Sequence, residues 1–203
     1  MRTMTALNIT LAATFAGISG NAYAVSSAST DLSLSANVPN TCYIASLAPT
    51  SMPSNVNGTS SVSTTSAAVT ISYQNELADS NTAIALQKTV TYGLSAYCNY
   101  ASHNVAIKSV QGGLVTANNQ NSAGGFDHRI NYSANFTWGS VTPTITTAGN
   151  PDNGSAEPAV DNQIAALPTN VNSTLTITTI AGTRPLVAGS YGDTLRLNLG
   201  ASL

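Results

Sequence analysis

The sequence predicts an all-β fold, a sandwich of short antiparallel strands. Three observations predict it. Apolar and polar residues alternate with period two over several short runs. No helical period persists for three turns. Clusters of Pro, Gly, Asn and Asp separate the runs, at the spacing expected of a sandwich. The length, 203 residues, suits one domain with extensions and is enough to bury a core.

Taken in order, residues 1–24 read as a secretory leader. Arg2 is a thin positive start, Leu7 to Ile18 an apolar stretch, and Ala22-Tyr23-Ala24 an A-x-A cleavage site. The apolar part is too short for a bilayer span, and the mature chain is expected to carry none. Residues 25–40 form an N-terminal strand segment. In it Ala28, Thr30, Leu32, Leu34, Ala36 and Val38 alternate with Ser29, Asp31, Ser33, Ser35 and Asn37 until Pro39-Asn40 breaks the run. Residues 41–203 are expected to form one domain. Within it 50–66 reads as a loop or frayed edge, and Val69 to Tyr73 as a strand. Thr89-Val90-Thr91-Tyr92 lies inside a mixed stretch, and 104–110 is a strand closed by Gln111-Gly112-Gly113. Ile130, Tyr132, Ala134, Phe136 and Trp138 alternate again. Residues 148–163 read as a loop, 175–180 as a strand, and Leu195, Leu197 and Leu199 as one face of a closing strand.

Charge is scarce. DEKR account for 7% of residues, against about 25% in ordinary domains. A net charge of −2 and scattered basic residues argue against a nucleic-acid partner. The surface must then be Ser, Thr, Asn and Gln, which pack between subunits without desolvating many charges. Cys42 and Cys98 are the two cysteines, and an exported chain with an even count is expected to pair them. They have neither the His partners of a zinc site nor C-x-x-C spacing.

Both ends of the mature chain are strongly alternating strands. No later strand is expected to flank the C-terminal one. The N-terminal one, set apart by Pro39, has the pattern of a strand that adds to the sheet of another subunit, its apolar side chains filling pockets. The plainer reading is the first strand of its own domain.

Gly189-Ser-Tyr-Gly-Asp-Thr-Leu-Arg-Leu-Asn-Leu199 resembles the closing strand of spore coat protein U domains, which include the archaic (Csu-type) chaperone–usher pilus subunits. The alternating segment before Cys42 is similar to that family's donor strand, and Tyr97-Cys98-Asn99 with Val105 to Ile107 to its second cysteine and next strand. Tyr132 to Gly139 resembles it more loosely. The chain lacks the aromatic residue near its end that many pilins carry, and alpha-type fimbrial subunits also close with a glycine–tyrosine strand. The resemblance implies an incomplete immunoglobulin-like sandwich. Its donor residues would be Ala28, Thr30, Leu32, Leu34, Ala36 and Val38, and its acceptor groove would be bordered by Tyr191, Leu195, Leu197 and Leu199. It also implies as partners a periplasmic chaperone, an outer-membrane usher and other copies or related subunits, and a place on the cell surface in a pilus that supports attachment or biofilm. The alternative is a self-contained secreted sandwich, a coat protein or a carbohydrate-binding module.

Enzymatic signals are weak, and no catalytic residue, cofactor or metal is expected. Neither His103 nor Asp127-His128 forms a recognisable triad, because strand neighbours point to opposite faces. Glu76, Asp79, Glu157 and Asp161 read as solvated turn charges rather than paired acids. Asp152 to Glu157 lacks the full calcium-loop pattern. Trp138 has the alternation of a core residue rather than a sugar platform.

Overall fold

The computed structural model describes residues 35–51, 56–62, 66–73, 77–116, 125–147 and 159–200. Contacts divide the chain into two units, Met1–Asn37 and Val38–Leu203. The second unit is all-β, with no helix among the described residues. Its strands are β1 (Cys42–Ser51), β2 (Val56–Val62), β3 (Ser66–Tyr73), β4 (Thr89–Cys98), β5 (His103–Ser109) and β6 (Leu114–Thr116). They continue with β7 (Arg129–Ile130), β8 (Tyr132–Thr137), β9 (Thr144–Thr146), β10 (Ala159–Ala165), β11 (Thr169–Thr179) and β12 (Tyr191–Leu199).

Two antiparallel sheets form an immunoglobulin-like sandwich. One runs β1-β4-β11-β8-β9, the other β10-β5-β12-β3-β2, with β6 and β7 attached beside β12. Period-two alternation explains the layering, since every second side chain faces the opposite sheet. Val90, Tyr92, Leu94 and Ala96 of β4 and Leu175 and Ile177 of β11 are buried from one side, and Val105 and Ile107 of β5 and Leu195, Leu197 and Leu199 of β12 from the other. Phe136 and Trp138 complete the centre. Each Val, Leu, Ile or Phe among them contributes about 1.5–3 kcal/mol on burial.

Three features of the sheets have physical causes. β1 breaks its alternation because its register against β4 slips between Ile44 and Ser46. Ile44 and Leu47, three apart, are therefore both buried, as a bulge requires. The stretch 50–66, read as a loop or frayed edge, supplies the edge strand of the seven-stranded sheet. It holds the end of β1 and the whole of β2, since Ser and Thr suit an edge strand as well as a loop. The stretch 148–163 was expected to be a loop to its end, but 159–163 belongs to β10, paired with β5 from Ala159↔Ser109 to Ala165↔His103. Residues 148–158 lie outside the described residues.

Candidate functional site

Three of the candidates for chemistry, His103, Asp79 and Asp161, are hydrogen-bonded within the fold. His103 is 1% exposed. Its Nδ1 lies 2.9 Å from the Tyr100 carbonyl, so that nitrogen must donate. Its Nε2 accepts the Trp138 indole N–H at 2.8 Å. A neutral imidazole satisfies both contacts with one proton. Trp138 itself is fully buried, as its alternation implied. Asp79 accepts from the backbone N–H groups of Thr82 at 2.8 Å and Asn81 at 3.0 Å and from the Thr82 hydroxyl at 3.0 Å. Those bonds, the Thr82 amide first, hold its carboxyl below the ordinary 3.8. Asp161 accepts from Thr144 N at 2.8 Å and Gln163 Nε2 at 3.0 Å, and so ties β10 to the edge of the opposite sheet. Glu76, Glu157 and the stretch 152–157 lie outside the described residues. Among the described residues no three His, Cys, Asp or Glu side chains cluster as metal ligands. No described helix is long and apolar enough to cross a membrane.

One polar cluster went unnoticed in the sequence. Asp193 falls on the apolar side of β12 and is 2% exposed. Its carboxyl oxygens accept from the Ser109 hydroxyl, Gln111 N at 2.9 Å, Gly113 N at 3.3 Å and the Tyr132 hydroxyl at 2.7 Å. The Ser109 oxygen in turn accepts from Gly112 N at 2.8 Å. The cluster folds the turn after β5 and links the two sheets through Tyr132. An acid at the parity of Leu195, Leu197 and Leu199 was the available signal.

The other feature is how the chain enters and leaves the sandwich. Cys42 and Cys98 form a disulfide at the end of the β1–β4 pair. Asn99 fastens the preceding residues. Its Oδ1 accepts Thr41 N at 2.7 Å, its Nδ2 donates to the Pro39 carbonyl at 2.9 Å, and its own N–H donates to the Thr41 carbonyl at 3.0 Å. Gly200, just past β12, lies against the same disulfide, and the Tyr100 hydroxyl donates to its carbonyl at 3.3 Å. A Cβ there would stand 2.9 Å from the Cys42 sulfur, and φ is +89°, a region that suits glycine. The unit therefore opens and closes at one pole. Val38, at its start, is 73% exposed.

No family model, curated protein or solved structure matches this chain.

β12, expected to border an open groove, is an inner strand. β5 flanks it from Leu195↔Ser109 to Leu199↔Val105, and β3 from Tyr191↔Tyr73 to Asn198↔Ser66. Tyr191, Leu195, Leu197 and Leu199 are all buried. Of the expected donor residues, Ala28, Thr30, Leu32 and Leu34 lie outside the described residues; Ala36 and Val38 are exposed and belong to no strand. The outer face of the five-stranded sheet is uncharged. Thr89 and Thr91 of β4, Thr174, Thr176 and Thr178 of β11, and Thr144 and Thr146 of β9 alternate with the buried positions, and Thr89 and Thr178 hydrogen-bond across strands at 3.1 Å. At the pole opposite the disulfide, a cavity of about 270 Å³ is lined by Leu77, Ile130, Leu186 and Tyr191 among others.

Proposed function

We propose that the chain is an exported structural subunit of a bacterial surface fibre of the chaperone–usher kind, joined to its neighbours by strand exchange. One observation carries this reading. Residues 28–38 alternate as a strand should, and the described residues before Cys42, 35–41, belong to no strand. The Asn99 clamp gives the segment a fixed point of departure beside the disulfide. Further support comes from the uncharged hydroxyl face of the five-stranded sheet, which desolvates cheaply against another subunit, and from the resemblance of the closing strand to pilus subunits. On this reading the segment's apolar side chains lie beside β12 of the next copy, after a periplasmic chaperone and an outer-membrane usher have handled the subunit.

A second reading has its own observation. β12 already has a strand on each side within the chain, as a self-contained secreted coat or sugar-binding sandwich requires.

The full chain, secreted with its own leader, distinguishes the two when a second copy of residues 25–40 is fused after Leu203 by a flexible linker. A polymerising chain that becomes a stable monomer on fusion supports strand exchange. A parent chain that is already a cooperative monomer, unaffected by the fusion, rules it out in favour of the closed sandwich.

A further inference from the structure

The strands of the five-stranded sheet, β1, β4, β11, β8 and β9, contain no Asp, Glu, Lys, Arg or His. The other sheet carries Lys108, Asp161, Asp193 and Arg196. On the outer face of the uncharged sheet, at its disulfide end, stand two tyrosines. Tyr43 of β1 and Tyr97 of β4 are direct cross-strand partners. They are 41% and 40% exposed, with ring centroids 5.8 Å apart. Each is the sequence neighbour of a bridged cysteine, Cys42 or Cys98, so the backbone under both rings is covalently fixed. The aromatic strip is therefore preorganised.

Polar side chains lie in register with the rings. Asn170 of β11 is opposite Tyr97, and Asn172 is opposite Ser95, one outward step along the strands. All three are exposed. Neither their side chains nor the two tyrosine hydroxyls are hydrogen-bonded among the described residues. Asn99 gives the contrast, since its amide is spent on the clamp. A cross-strand tyrosine pair by itself stabilises a sheet. Stability does not call for uncommitted amides and hydroxyls beside it on a sheet without charge. That combination fits the chemistry of a sugar. A pyranose ring has an apolar C–H face, which stacks on an aromatic ring, and a rim of hydroxyls that each donate and accept. An Asn side chain offers both a donor and an acceptor, as Ser and Tyr hydroxyls do, and Tyr joins an apolar body to a polar tip. A charged polymer would lose hydration here and meet no opposite charge.

We propose that Tyr43 and Tyr97, with Ser95, Asn170 and Asn172, form a binding surface for a neutral polysaccharide, an uncharged hexose polymer lying across the disulfide end of the sheet. The inference goes beyond strand exchange and gives the sugar-binding alternative a site. It holds for a fibre subunit and for a closed sandwich alike.

The test is equilibrium dialysis of the secreted full-length chain against end-labelled hexasaccharides of glucose and of mannose, with a hexasaccharide of uronic acid as the charged control. The method reads free ligand and so serves monomer and polymer equally. The parent should bind a neutral hexasaccharide with a Kd of about 1 mM or below and should not bind the uronate. Tyr43→Ala and Tyr97→Ala should each weaken binding about tenfold, the scale of a lost aromatic contact, while Tyr97→Phe should keep most of it. Asn170→Ala with Asn172→Ala should weaken it severalfold. Because no charge takes part, affinity should be the same at low salt and at about 1 M. Thermal unfolding checks that each variant folds, and the exposed asparagine pair carries the test if a tyrosine variant does not. A parent that binds no neutral hexasaccharide, that prefers the uronate, or whose binding survives all of these changes overturns the proposal. Tyrosine variants that lose polymer growth, in a parent that binds no sugar, make the face a contact between copies instead. Failure here leaves strand exchange standing, since the fusion decides that separately.

Discussion

Tyr92 is fully buried, and its hydroxyl has no hydrogen-bond partner among the described residues. Burial excludes the phenolate and raises its pKa above the ordinary 10.0. Tyr92→Phe should therefore stabilise the fold by about 1 kcal/mol, since it removes an unsatisfied polar atom and little volume. The sign of the pH dependence follows. A folded-state pKa raised above the unfolded one contributes stability that is complete below the unfolded value and lost as pH rises through the folded one. Alkaline melts above pH 10.0 should thus be shallower for Tyr92→Phe than for the parent. Asp79 has the opposite sign. Its contribution is present above the ordinary carboxylate pKa and fades as pH falls through the depressed one. Because its carboxyl is solvent-exposed, the loss is local, and it should be seen as faster amide exchange at Asn81 and Thr82 in acid. Asp193→Ala should cost about 3 kcal/mol or more in denaturant melts, because it strands the Ser109 and Tyr132 hydroxyls and two turn amides in the core. His103→Ala orphans the buried indole N–H of Trp138 and should cost a similar amount.

At the scale of the element, turn geometry and edges decide the outcome. Gly113 has φ +141°, and a Cβ there would lie 2.8 Å from the Arg129 side chain. Gly113→Ala should therefore destabilise by about 1–3 kcal/mol through strain and overpacking, checked by urea unfolding. β10 leaves Val160 and Ile164 exposed, at 56% and 62%, on a strand paired on one side only. Val160→Lys with Ile164→Lys should leave stability within about 0.5 kcal/mol while lowering non-specific aggregation in light scattering. These elements also mark how far the sequence could be read. The strands with clean alternation, β8 and β12, were legible because one face of each is buried along its whole length. β1 was not, because its bulge replaces period two by a spacing of three. β10 was not, because its inward residues are Asp161 and Gln163, satisfied by hydrogen bonds to Thr142 and Thr144 that no local pattern announces. Asp193 stood in plain view on the apolar side of β12, but its four donors come from two separate stretches of chain, the turn after β5 and Tyr132 of β8.

At the scale of the whole molecule, the disulfide and the two sheets hold ends that meet at one pole. The bridge closes a loop with a sequence separation of 56. Chain-entropy reasoning gives it about 4 kcal/mol, so Cys42→Ser with Cys98→Ser should lower the melting temperature markedly. The position of that bridge has a mechanical consequence. A pull on the N-terminal segment reaches Cys42 after the Asn99 clamp and passes straight through sulfur into β4. Residues 43–97 are bypassed, and β1, β2 and β3 cannot be drawn out one after another. About 190 Å of contour, at roughly 3.4 Å per residue, is thereby withheld from extension. Under tension the oxidised domain would give up only the chain that lies beyond the bridge, and reduction would release the rest.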